Sequence, residues 1–131
     1  MLWNCIYETG VDILDEQNKE LFRRIEMLHT DPQATAVSQT LRFLSTYFIH
    51  HFETEEKLHH RARYPKADGH KKIHADFATA FKQLKITYDK SDNNPALLMR
   101  ISQSVFKWLK SHIQGHDKAF ASYYVTRSLA R

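Results

Sequence analysis

Little in this sequence can build a β-rich or disulfide-held fold. Three glycines and three prolines in 131 residues leave few of the residues that tight turns require. A single cysteine, Cys5, excludes an internal disulfide. No run approaches the ~18 apolar residues needed to cross a bilayer. The opening segment, MLWNCIYETG, has no basic stretch followed by an apolar one, so no secretory leader is expected. These absences point to a cytoplasmic protein with no membrane partner. Charge of one sign is also lacking: 19 Lys and Arg stand against 15 Asp and Glu, and the basic residues are scattered among the acidic ones. The one dense basic stretch (His59, His60, Arg61, Arg63) is too short to suggest a nucleic-acid partner.

What is present suits a globular protein. An apolar content of 42% with 26% charged residues argues against disorder, and the length fits one domain over residues 1–131 with a hydrophobic core. Turn signals divide the chain into an arm, residues 1–11, and four helical segments. Trp3, Ile6 and Tyr7 of the arm are available to cover the helices. Asp12 is placed to cap a first helix running to about residue 29, where His29-Thr-Asp-Pro32 breaks it. A second helix is predicted over about 34–63, ended by Tyr64-Pro65, and a third over about 68–88. After a polar loop, Asn94 and Pro95 read as cap and first residue of a fourth, over about 95–128.

Each segment carries a buried seam at alternating steps of three and four. The apolar members are Leu14, Leu21, Ile25 and Leu28, then Val37, Leu41, Leu44 and Phe48. They continue with Phe77, Phe81, Leu84 and Tyr88, and with Ile101, Val105 and Trp108. Long helices with short connections make an antiparallel up-and-down four-helix bundle, an all-α fold, the expected architecture.

The polar residues that interrupt those seams carry the chemistry. Nine histidines are present, and several fall in phase with the core: His51, His70, His74 and His112, joined by Asn18 and Glu55. The seam of the second helix continues at either 58 or 59. Four-residue steps put His51 with Glu55, and His70 with His74, on single helical faces. On the fourth helix His116 is the natural partner of His112 by spacing. Ile113, Asp117, Phe120 and Tyr124, however, continue a seam displaced by one residue. A step of five puts Asp117 about 140° round from His112 on a regular helix, so a bulge or loosened turn near Gly115 is needed to bring both to one site. A lone core histidine is usually a hydrogen-bonded structural residue. Three helices that each supply two donors in phase with the core are not so explained. Buried carboxylates and imidazoles need a collective partner, and nitrogen with oxygen donors suits iron, manganese or zinc.

In order along the chain, the segments Gly10-Val-Asp-Ile-Leu-Asp-Glu-Gln-Asn18-Lys-Glu-Leu21, His51-Phe-Glu-Thr-Glu55-Glu, Tyr64-Pro65, His70-x-x-x-His74 and Trp108-Leu-x-x-His112-Ile-x-x-x-Asp117 resemble a bacterial hemerythrin over essentially the whole length. The resemblance implies two Fe ions, cycling between Fe2+ and Fe3+, with a bridging oxo or hydroxo group inside the bundle. It implies that Glu55 and Asp117 bridge the ions, that His70, His74 and His112 hold one, and that His51 holds the other, where O2 binds. It further implies an apolar O2 pocket at Leu21, Phe52, Trp108, Leu109 and Ile113, whose dryness protects the bound gas.

Two positions depart from that family pattern. Asn18 stands where the family has a histidine, and is read either as a weak amide ligand or as a buried hydrogen-bonding residue. His59 stands where the bacterial members have methionine, one turn beyond Glu55 on the same face. His59 is the candidate replacement ligand; the alternative is that it packs beside the site or reaches solvent. His116 is expected behind the ligands, next to Asp117. The expected function is reversible O2 binding for storage, delivery or sensing by a monomer rather than catalysis. A sensing role would need an unidentified protein partner. An oxidase, peroxidase or nitric-oxide-reactive enzyme is the first alternative, and a degenerate bundle with one metal or none is the second.

Overall fold

The computed structural model describes residues 3–30 and 34–129, and Pro32, expected to break the first helix, lies outside them. A short 3-10 turn, Cys5–Tyr7, precedes α1 (Asp12–Thr30), α2 (Ala34–Ala62), α3 (Ala67–Asp89), α4 (Pro95–His112) and α5 (Lys118–Leu129). A π turn, Ile113–Asp117, joins α4 to α5 without leaving helical backbone, so the three form one continuous fourth helix. The result is an antiparallel four-helix bundle. Among the described residues, no helix is long and apolar enough to cross a membrane.

Local chemistry sets the ends of these helices. The α1 start is held by Asp15 rather than by the expected cap Asp12. The Asp15 carboxylate accepts hydrogen bonds from Thr9 N (2.8 Å), Thr9 Oγ1 (2.7 Å) and Gly10 N (3.1 Å). Gly10 makes this possible with a φ of 90°, which a side chain would disfavour. Beyond α2, Arg63 also enters the left-handed region, and Tyr123 Oη donates to the carbonyls of Ala62 and Arg63. Asn94 Oδ1 accepts from Ala96 N and Leu97 N, with Pro95 in the first helical position, which needs no donor.

The seams face inward. Leu14, Asn18, Leu21, Ile25 and Leu28 of α1 are all buried, as are Val37, Leu41, Leu44, Phe48, His51 and Glu55 of α2. Where the α2 seam was ambiguous, packing selects His59, at 1% exposure, over the half-buried Leu58. The apolar interior forms two clusters. The larger runs from Leu21, Phe52, Leu109 and Ile113 to the far end of the bundle, and the smaller comprises Val11, Leu14, Phe120 and Ala121. Asn18, Glu55 and Asp117 lie between the two in each helix, so a polar layer crosses a core that is apolar on both sides. Trp3 and Tyr7 cover the bundle edge, each with its ring 5.0 Å from Phe22. Ile6 does not share in this: it is 47% exposed, because the 3-10 turn aims it outward.

Candidate metal centre

Five side chains converge in the polar layer. One donor atom from each of Glu55, His70, His74, His112 and Asp117 lies within 4.8 Å of every other, and all five residues are buried. The π turn is the local reason that Asp117 takes part, since it brings a residue five positions on from His112 into register.

The separations identify what the group is built to hold. His112 Nε2 stands 3.0 Å from His70 Nε2, 3.0 Å from His74 Nε2 and 3.0 Å from Asp117 Oδ1. Glu55 Oε1 is 3.1 Å from His70 Nε2 and 3.0 Å from His74 Nε2, and Asp117 Oδ1 is 3.3 Å from His70 Nε2. One imidazole nitrogen carries at most one proton, so three short contacts at His112 Nε2 cannot all be hydrogen bonds. They instead describe lone pairs aimed at a common point. With metal–ligand bonds of about 2.1 Å, neighbouring donors stand about 3.0 Å apart in an octahedron and about 3.4 Å apart in a tetrahedron. The observed spacings of 3.0 to 3.3 Å are those of donors that share one cation.

Unsatisfied polar atoms concentrate here. Apart from Trp3 Nε1, the buried side-chain atoms without a hydrogen-bond partner among the described residues all belong to Asn18, His51, Glu55, His59, His112 and Asp117. Orphaned buried polar groups are costly and rare in folded proteins, which makes a cluster of them a mark of an absent partner. The donor set therefore fits a cation.

The imidazoles are oriented from behind. His51 Nδ1 lies 2.7 Å from Gln17 Oε1, and His74 Nδ1 lies 2.8 Å from Glu56 Oε2. Each acceptor requires the proton on Nδ1 and frees Nε2 to coordinate. Stacking adds rigidity: Phe52 lies 4.0 Å from His74 at 7°, and Trp108 lies 4.5 Å from His112 at 11°. Gln17 and Glu56 were not found by sequence reasoning. They flank the seam residues Asn18 and Glu55, and nothing in periodicity marks them out.

The other expected site residues fall into three groups. Asn18, His51 and His59 are fully buried but stand outside the compact five. Leu21, Phe52, Leu109 and Ile113 belong to the larger apolar cluster, with Trp108 packed against it. His116 is exposed, its ring 5.3 Å from His112 and 5.6 Å from His70. It lines a cavity of about 480 Å³ with Tyr64, Lys66 and His70.

Burial and mutual charge shift the protonation of these groups. Burial, and then the charge of Asp117, pushes the Glu55 carboxyl well above its ordinary range. Burial also opposes the charge on Asp117, but His112 and His70 outweigh it and hold that carboxyl well below its ordinary range. Burial disfavours a proton on His70, yet contacts with Asp117 and Glu55 carry it up to about 9. His51 and His59 are pulled down to about 4 by burial, so both are neutral at pH 7. An entering cation must then displace the proton that His70 holds, and the raised Glu55 carboxyl adds to that competition. Each displaced proton makes binding about tenfold tighter per pH unit while the group remains protonated. Metal titrations between pH 6 and 8 should show the Kd falling at least tenfold per unit; a pH-independent Kd would contradict this assignment.

Comparison with known proteins agrees with the geometry. The model of the hemerythrin HHE cation binding domain matches residues 9–124. The chain is 29% identical over 128 residues to a bacteriohemerythrin of Stenotrophomonas maltophilia, covering 92% of this chain and 79% of that one. It is 33% identical over 115 residues to a myohemerythrin of Theromyzon tessulatum, covering 88% and 86%. It is also 28% identical to a hemerythrin-like protein of Naegleria gruberi, covering 90% and 88%. This chain belongs to the hemerythrin family of cation-binding helical bundles.

Proposed function

We propose that this protein binds O2 reversibly at a pair of iron ions, with an oxo or hydroxo group between them. The observation that carries this reading is the set of donors spaced about 3 Å apart around one buried point, in a chain of the hemerythrin family. His70, His74 and His112 would hold one ion, and His51 the other. Glu55 and Asp117 are proposed to bridge, since each carboxylate has two buried oxygens without a hydrogen-bond partner. Two reduced iron ions held there would supply the electrons for reversible O2 binding. The protein's part is to keep that exchange closed. Leu21, Phe52, Trp108, Leu109 and Ile113 offer a wall without proton donors except the indole of Trp108, so water and protons are kept from the gas.

The test is optical. Anaerobic, iron-loaded, reduced protein mixed with O2 should develop a visible charge-transfer band that disappears on deoxygenation and returns over repeated cycles. A single irreversible oxidation would assign the site to an oxidase or peroxidase instead. Full metal loading with no such band would remove the O2 reading.

A further inference from the structure

Outside the five converging donors, three buried side chains of the same layer carry polar atoms without a hydrogen-bond partner among the described residues: Asn18, His51 and His59. His51 is accounted for as a donor, since Gln17 fixes its Nδ1 proton and leaves Nε2 free. His59 is unlike it. It is 1% exposed, and neither of its ring nitrogens has a hydrogen-bond partner among the described residues. Its ring is wedged 4.2 Å from Phe120, 4.5 Å from His70 and 5.1 Å from Tyr64.

Packing alone does not explain a histidine there. An apolar side chain of similar size would fill the space against Phe120 and Tyr64 without burying two unmet nitrogens. His51, Glu55 and His59 recur at steps of four on α2, so all three stand on one face. His59 follows Glu55 by one turn of α2, and its ring packs 4.5 Å from that of His70, which puts it beside the proposed pair of ions. From α1, by contrast, the layer receives Asn18, an amide with both polar atoms unpartnered and the weaker donor of the two.

We infer that His59 is a ligand of the second metal ion, so that α2 alone supplies both of its histidines, His51 and His59, and α1 supplies none. The inference rests on the two-iron reading above. The histidines of the second ion then come from one helix, whereas those of the first come from α3 and α4, with Glu55 and Asp117 shared between the two.

The experiment counts iron per chain and measures the affinity of each equivalent by anaerobic Fe2+ titration. It compares wild type, His59→Met and the double variant Asn18→His/His59→Met. Methionine keeps the volume and removes the unmet nitrogens, so the metal-free His59→Met protein should fold and melt no lower than wild type. Wild type should take up two ions. His59→Met should keep the first at unchanged affinity and bind the second at least tenfold more weakly. The double variant, with an imidazole restored from α1, should recover the second ion. Two ions bound by His59→Met with wild-type affinity would overturn the inference and leave the two-iron reading intact. Loss of the second ion without recovery in the double variant would assign His59 a packing role. Wild-type protein that binds one ion would overturn both.

Discussion

Replacing Glu55 by glutamine is expected to move the stability of the metal-free and metal-loaded protein in opposite directions. Glu55 is fully buried, and its carboxyl is held well above the ordinary range by burial and by Asp117. A carboxyl raised on folding costs stability as pH climbs from its unfolded value near 4.5 toward its folded value, because the unfolded chain ionises first. At pH 7 that cost is present in the metal-free wild type, and a neutral glutamine removes it. The metal-free variant should therefore be more stable by about 1–3 kcal/mol. The gain should vanish near pH 4, where wild-type Glu55 is protonated in both states. With metal the sign reverses. Ions in thousandfold excess over Kd stabilise by about 4 kcal/mol each, and Glu55 is the donor that both are proposed to share. The variant should bind iron at least a hundredfold more weakly, and should melt about 10–20 °C below wild type when both are given iron. Calorimetry with and without metal at pH 7 and pH 4 checks all of this. A metal-free variant less stable than wild type, or one with unchanged iron affinity, would refute the proposed role of Glu55.

Inserting one alanine after Gln114 should abolish the metal centre, whereas deleting Gln114 should not. The π turn Ile113–Asp117 absorbs one residue more than a regular helix would hold between His112 and Asp117. A second extra residue would turn all that follows by about 100°. Asp117, Phe120 and Ala121, now at 0%, 0% and 1% exposure, would leave the core. Swinging Phe120 out costs about 3 kcal/mol or more, and Asp117 would no longer reach His70 or His112. Deletion of Gln114, which is exposed, leaves four residues from His112 to Asp117. A regular α-helix then presents both on one face, with Phe120 and Ala121 following in phase. The deletion variant is expected to keep its fold and bind iron within about tenfold of wild type, a change of about 1.4 kcal/mol. Thermal melts and iron stoichiometry of the two variants decide the matter. Loss of iron in the deletion variant would show that the site needs the π geometry itself and not merely the phase it restores.

The sequence by itself determined what each helix contributes. The three-four spacing of apolar residues is local, and it marked Leu14 to Leu28 or Val37 to Phe48 as inward-facing before any partner was known. The same periodicity showed His51, Glu55, His70, His74 and His112 in phase with the core. The misfit between His112 and Asp117 called for a loosened turn near Gly115, and the π turn lies there. What only the tertiary structure decided is how those faces meet. Relative level and rotation of helices depend on packing between segments distant in sequence, which no periodicity records. Packing chose His59 over Leu58 for the core, left Ile6 outside it, and brought Gln17 and Glu56 behind His51 and His74. It also gathered five donors from three helices around one point that suits a shared cation. Asn18 and His59 show the same division. Their residue types and seam positions were legible, but that both lie buried with every side-chain nitrogen and oxygen unpartnered is a property of the assembled bundle. Such atoms lose water only when the helices close around them.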